Sequence, residues 1–250
     1  MIIDLRKCVG CGACALACKT ENNTANRKNG QTFNWADFLH ETSGTFPKTT
    51  FRTLPVLCNH CSEAPCVEAC PVEPKAMFKT ADGITMHNED RCIGCRSCQD
   101  ACPYSMDEVT RDGAYGEYSV ISYNEEDEPT QSSFTDKSPL IDKGSTSAAE
   151  LVSQIGTNPP HRTEYQHPEY NSVRRDNVVE KCIFCDHRIH NNELPFCVEA
   201  CPSGARVFGD LDNAGSEIAK LLKKHAHFVL KPEEGTRPNV YYIREYSTRA

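Results

Sequence analysis

The sequence predicts an α+β fold made of two similar small units, one inserted into the other, with long loops and a surface insertion. Three observations predict it. The 16 cysteines fall into four groups with recurring spacing. The segment "PVEPKAMFKTADG" (71–83) that follows the second group is echoed after the fourth by "PSGARVFGD" (202–210). Apolar residues make up 38% and aromatic residues 8% of the 250, which is lean for a chain of this length. Something besides apolar burial must therefore hold such units together.

Group one is Cys8, Cys11, Cys14 and Cys18, spaced C-x2-C-x2-C-x3-C. Group two is Cys58, Cys61, Cys66 and Cys70, with x2, x4 and x3 between them and Pro71 after. Group three is Cys92, Cys95, Cys98 and Cys102, spaced like group one and followed by Pro103. Group four is Cys182, Cys185, Cys197 and Cys201, with x2, x11 and x3 between them and Pro202 after. Group one has Lys19 where the others have proline, but all its thiols remain.

Three chemistries use clustered thiols. Disulfides need oxidising surroundings and suitable Cα separations, whereas C-x2-C neighbours are usually held for metal or redox exchange. Structural zinc takes tetrahedral sets, commonly from two C-x2-C hooks far apart. Three cysteines at x2, x2 and a fourth after x3 is instead the spacing of the bacterial ferredoxin run, which holds iron–sulfur clusters. A tight loop with thiolates at i, i+3 and i+6 wraps three corners of a cube. The chain then turns into a helix, and the next cysteine ligates a neighbouring cluster. Four groups so arranged predict four [4Fe–4S] clusters in two pairs, and a fold of tandem bacterial-ferredoxin-like modules. Gly10, Gly12 and Gly94 let the backbone turn tightly and bring amides toward sulfur.

Groups two and three lie 21 residues apart, across a link with a turn at Asp82-Gly83 between strand-like pieces. They form one contiguous unit, and groups one and four pair around it. The expected ligand sets are Cys8, Cys11, Cys14 with Cys201; Cys18 with Cys182, Cys185, Cys197; Cys58, Cys61, Cys66 with Cys102; and Cys70 with Cys92, Cys95, Cys98. The expected modules are 1–48 with 178–212 (outer, discontinuous) and 49–110 (inserted). Residues 111–177 form a loop-rich insertion, and 213–250 a C-terminal helix and strand.

The remaining segments read simply. Trp35 lies in the link between groups one and two, either as packing or beside an electron path. Residues 124–160 are polar and Ser/Thr/Pro-rich, a surface excursion with one short helix at 148–155 that either wraps a partner or forms a loop. Ile218, Leu221, Leu222 and His225 stand at helical spacing over 216–227, and "NVYYIREY" (239–246) reads as a strand. His60 and His187 sit among complete cysteine groups, so their expected role is hydrogen bonding or docking and not ligation. No phosphate-cradling glycine loop, catalytic triad or spare thiol is visible, so the chain is read as non-catalytic. Fully ligated clusters suit relay of single electrons between two partners. The net charge is −8 without a basic block, which argues against nucleic acid. No run of about 18 apolar residues suggests a membrane span. The opening "MIIDLRKC" carries no signal pattern, which reads as cytoplasmic unless the chain is exported as a passenger.

The strings "KCVGCGACALACK", "LCNHCSEAPCVEACP", "RCIGCRSCQDACPY" and "KCIFCDHRIHNNELPFCVEACP" together resemble the four-cluster electron-transfer subunit of molybdopterin oxidoreductases of the dimethyl sulfoxide and polysulfide reductase group. Within that group, "CKTENNT", "GTFP", "QHPEY" and "GTRPNVYYIR" look most like the small subunit of respiratory arsenate reductases. The resemblance implies a molybdopterin-containing catalytic partner, as a heterodimer or a dimer of heterodimers, and a membrane quinol oxidase or cytochrome as electron donor. It implies that the set at Cys8, Cys11, Cys14 and Cys201 lies nearest the catalytic partner and the set at Cys70, Cys92, Cys95 and Cys98 at the far end. Intact group three implies no three-iron variant. A periplasmic home, reached by co-export with the catalytic subunit, is also implied. The same relay in a polysulfide, tetrathionate, dimethyl sulfoxide or arsenite system, or a free multi-cluster ferredoxin, are the alternatives.

Overall fold

The computed structural model describes residues 1–22, 24, 34–105, 119–124, 137–139, 146–155, 163–167, 170–173 and 176–244. The fold is α+β with small sheets and short helices. In chain order come β1 (Ile2–Asp4), α1 (Ala13–Asn22), β2 (Ala36–Thr45), β3 (Lys48–Leu57), α2 (Pro65–Glu68), β4 (Met77–Lys79), β5 (Thr85–His87) and α3 (Ser97–Asp100). Then follow β6 (Ile121–Tyr123), α4 (Ala148–Ile155), β7 (Thr163–His167), β8 (Tyr170–Val173), β9 (Val179–Lys181), α5 (Asp186–Ile189) and α6 (Phe196–Glu199). β10 (Arg206–Val207), α7 (Glu217–Lys224), β11 (His227–Phe228) and β12 (Tyr241–Ile243) complete the order.

The largest sheet has the order β10-β1-β12-β11. β1 pairs antiparallel with β10 and parallel with β12, so strands from both ends of the described chain lie side by side. Successive side chains of a strand point to opposite faces. Ile2 accordingly packs with Ile218 and Ile243 in a small cluster under α7, while Ile3 joins the main core. Fully burying Ile218 is worth about 1.5–3 kcal/mol. Ser216 caps α7, its Oγ accepting from the Ala219 N–H at 3.2 Å. The helix is shorter than the periodicity suggests, because His225 is already extended.

β2 and β3 form a ten-residue hairpin paired from Ala36↔Leu57 to Thr45↔Lys48, about 30 Å long at the usual rise. Its base is buried through Ala36, Val56 and Leu57, while Phe46 and Phe51 are exposed toward its tip. Trp35, also buried, joins the main core beside the base. β4 and β5 form the short hairpin expected around Asp82-Gly83. β6 pairs with β9, so residues just after group three meet those just before group four. The helix expected at 148–155 is present as α4. A reciprocal cap starts it: Glu150 N–H donates to Ser147 Oγ and Glu150 Oε2 accepts from Ser147 N–H. Most of the loop-rich insertion, part of "QHPEY" and the end of "NVYYIREY" fall outside the described residues.

Candidate metal centres

Each cysteine group uses the same local device. Its third cysteine lies in a helix (Cys14 in α1, Cys66 in α2, Cys98 in α3, Cys197 in α6), and its fourth follows four residues later, one turn along. Pro65 opens α2 at a position where proline costs no hydrogen bond. The loops before these helices need left-handed backbone. Gly94 has φ +68°, and an added Cβ would lie 2.3 Å from the Asn177 carbonyl oxygen, so only glycine fits. Backbone amides near the cysteines point at sulfur: Gly94 N–H donates to Cys92 Sγ at 3.4 Å, Phe184 N–H to Cys182 Sγ at 3.4 Å and, after α6, Ala205 N–H to Cys201 Sγ at 3.3 Å.

Helix packing brings the groups together. α1 packs on α6, joining groups one and four, and α2 packs on α3, joining groups two and three. Cys8, Cys11, Cys14 and Cys201 line one hollow of about 330 Å³, with Phe38, Pro55 and Arg206 in its wall. Cys70, Cys92, Cys95 and Cys98 line another of about 290 Å³, with Met77, His87 and Arg96. Cys18 lies among Cys182, Cys185 and Cys197, close enough for each to raise its pKa. Cys66 lies among Cys58, Cys61 and Cys102. None of the sixteen cysteines forms a disulfide.

The expected sets adjoin one another in turn. Cys197 of the second set feels the charge of Cys14 in the first. Cys182 of the second feels Cys58 of the third, and Cys98 of the fourth feels Cys66 of the third. Exposure follows this order. Every cysteine of the second set is buried, whereas the two exposed cysteines, Cys11 and Cys95, belong to the first and last. Exposed Val9 and Leu16 flank Cys11, and exposed Ile93 flanks Cys95.

Burial and neighbouring thiols push Cys61 up to about 11, and Cys66 and Cys185 to about 12. Cys18 and Cys182 are raised well above the ordinary thiol value by the same causes. Four such thiols in a dry pocket keep their protons unless a bound cation replaces them. Cys201 is the exception: burial works against its thiolate, but hydrogen bonds from Ser203 and from the Ala205 and Arg206 backbone hold its pKa below the ordinary value.

The residues present fit [4Fe–4S] clusters. Each of the two hollows is lined by three cysteines of one group and one from another, the ligand pattern of the bacterial ferredoxin run and not of two zinc-binding C-x2-C hooks. Buried donors without a protein partner face the same regions, among them Arg206 Nη2 and, in the wall of the last hollow, His87 Nε2. His60 is stacked on Phe184 with ring centroids 3.6 Å apart, and His187 Nε2 hydrogen-bonds Glu21 Oε1 at 2.6 Å. Sequence reasoning missed Asn22, whose buried amide approaches Cys18 Sγ at 3.5 Å and Cys185 Sγ at 4.0 Å. It also missed the buried cations Arg206 and Lys181. A charged residue inside an otherwise strand-like run was the available signal for both.

A model of the 4Fe-4S dicluster domain matches residues 49–117 and 152–211, and one of the 4Fe-4S binding domain matches residues 1–21. The chain belongs to the 4Fe-4S dicluster family. The dicluster chain is 42% identical to the arsenate respiratory reductase iron–sulfur subunit of Shewanella sp. (strain ANA-3), over 100% of its own length and 97% of the relative's. It is 35% identical to a subunit of the selenate reductase of Mesobacillus selenatarsenatis, over 97% of its own length and 70% of the relative's. It is 33% identical to a subunit of the tetrathionate reductase of Salmonella typhimurium, with the same coverage of 97% and 70%. As a family member it is an iron–sulfur electron-transfer subunit with four [4Fe–4S] clusters.

Proposed function

We propose that this chain relays single electrons between a quinol or cytochrome donor and a molybdopterin catalytic subunit that reduces arsenate. The single row of four cysteine sets, buried within and exposed at both ends, carries the reading. The ligand sets are those named from the sequence: Cys8, Cys11, Cys14, Cys201; Cys18, Cys182, Cys185, Cys197; Cys58, Cys61, Cys66, Cys102; Cys70, Cys92, Cys95, Cys98. Bound there, a cluster takes up and gives back one electron. The protein holds the thiolates, excludes water from the inner sets and directs amides toward sulfur. The repeat is a two-cluster module at 49–110 inserted into one made of 1–48 and 178–212. The first set faces the catalytic subunit, the last faces the donor, and the assembly works in the periplasm after export with its partner.

Arsenate is favoured over the other oxidants by the end-to-end likeness to the arsenate respiratory reductase subunit. Purification without air should bring a molybdopterin chain in about equal amount. Arsenate should re-oxidise the reduced clusters of that complex and leave those of the isolated chain reduced. Absence of a molybdopterin partner overturns the relay reading. Re-oxidation by tetrathionate or selenate but not arsenate moves the substrate to that of another relative.

A further inference from the structure

Two cations are buried between cysteine sets. Arg206 is 4% and Lys181 1% exposed. The Arg206 guanidinium lines the hollow of the first set beside Cys14, whose charge it feels, and has Nη1 3.8 Å from Met1 Sδ and 4.0 Å from Cys197 Sγ of the second. Its Nη2 has no protein partner. Lys181 Nζ donates to the carbonyls of Thr85 and of Cys182, and its charge is felt by Cys182 of the second set and Cys66 of the third. Among the described residues no carboxylate pairs with either cation. A guanidinium cannot shed its proton, and a buried charge needs a counter-charge. Among the described residues, the sulfur ligand sets are the only anions positioned to supply one for Arg206.

The other half of the repeat lacks both charges. Lys181 ends the strand directly before Cys182, and Leu57 ends the strand directly before Cys58. Arg206 opens the strand that follows Cys201-Pro202, and Met77 opens the strand that follows Cys70-Pro71. Leu57 and Met77 are as buried as the cations they correspond to. Arg206 lines the hollow of the first set, and Met77 that of the last.

We propose that Arg206 and Lys181 are fixed counter-charges that raise the reduction potentials of the clusters beside them and so draw electrons away from the Cys95 end toward the second set, which lies between both. Each one-electron reduction adds a negative charge, and a cation fixed in a dry interior stabilises it strongly. The first junction holds Arg206 and the middle one Lys181. The junction between the third and last sets holds neither. The inference rests on the ligand sets given under the proposed function.

The test is a potentiometric titration followed by electron paramagnetic resonance on the full chain purified without air. Arg206→Met and Lys181→Leu install the residues that the other half carries. Arg206→Lys and Lys181→Arg keep the charge. Each neutral variant should lower two of the four couples by about tenfold in the one-electron equilibrium, about 59 mV. The two variants should share one moved couple, that of the second set, and one couple should move in neither. The charge-keeping variants should stay near the native values. A neutral variant that loses iron while its charge-keeping counterpart retains it also supports the assignment. Unshifted potentials in a fully loaded neutral variant overturn it. So do equal shifts of all four couples, or charge-keeping variants that shift or lose iron as much as the neutral ones. Native protein with fewer than four couples would sink the ligand reading itself, a separate failure.

Discussion

At Cys201 a local motif reaches a distant part of the chain. The residue lies four positions beyond Cys197, yet it lines the hollow of Cys8, Cys11 and Cys14. Its sequence neighbour Cys197 sits with Cys18 in the next set. Cys201→Ser and Cys11→Ser should therefore abolish the same resonance signal, and Cys197→Ser a different one. Elemental analysis should show a loss of about four irons in each case. Glycine positions divide in the same physical way. Gly94→Ala drives a Cβ into the Asn177 carbonyl and should cost the protein the iron held by Cys92, Cys95 and Cys98. At Gly12 an added Cβ meets nothing within 4 Å, so Gly12→Ala carries only the left-handed backbone penalty of about 1 kcal/mol and should keep its iron. The loop-and-helix setting of each cysteine group was legible because its spacing is set within one loop and one helical turn. Arg206 and Lys181 were not, because what makes each unusual is the set it meets across a sheet or a hairpin. The one-dimensional record shows only an arginine after a proline turn and a lysine before a cysteine.

Among the elements, α1 and α5 are held by a side-chain clamp. Glu21 hydrogen-bonds His187 and pairs with Arg188, the nearer oxygen lying 3.6 Å from Nη1. The His187 hydrogen bond, opposed by burial and aided by the charges of His187 and Arg188, holds the Glu21 carboxyl below the usual carboxylate range. The folded state thus binds this proton less readily than the unfolded state. The clamp's contribution is present above the ordinary glutamate value, near 4.5, and is lost as pH falls below it. Glu21→Gln should weaken protection of α1 amides in hydrogen exchange by about 1 kcal/mol at neutral pH. The difference from the native chain should shrink in acid. The β2–β3 hairpin was read from sequence only as part of the link between groups one and two. Its outer half is solvated, with five consecutive exposed residues in β3 from Lys48 to Arg52. No alternation of buried and exposed positions was there to mark a strand. The short helix α4 was legible because its start is a local cap, and the short hairpin β4–β5 because its turn contains a glycine with φ +86°.

For the molecule as a whole, the row of sets makes position matter more than number. Removing an inner ligand, as in Cys66→Ser, should leave both exposed ends reducible by a small dye. It should slow passage from one end to the other at least a hundredfold in stopped-flow measurements on the assembled complex, because the electron must cross the gap left by the missing site. The α+β class was readable in the sequence, and α1 does pack on α6, the helices that carry groups one and four. The sheet β10-β1-β12-β11 was not readable, since its strands are two or three residues long and too short to show a period.

In the ligand sets proposed above, the nesting of the cysteine groups also fixes an order of manufacture. Once residue 102 has left the ribosome, every thiol of the third and fourth sets has been made. Cys8, Cys11, Cys14 and Cys18 were made first, yet they must wait for Cys182, Cys185, Cys197 and Cys201. The earliest ligands are therefore the last to be completed, and about two hundred residues must be translated before the first and second sets can be filled.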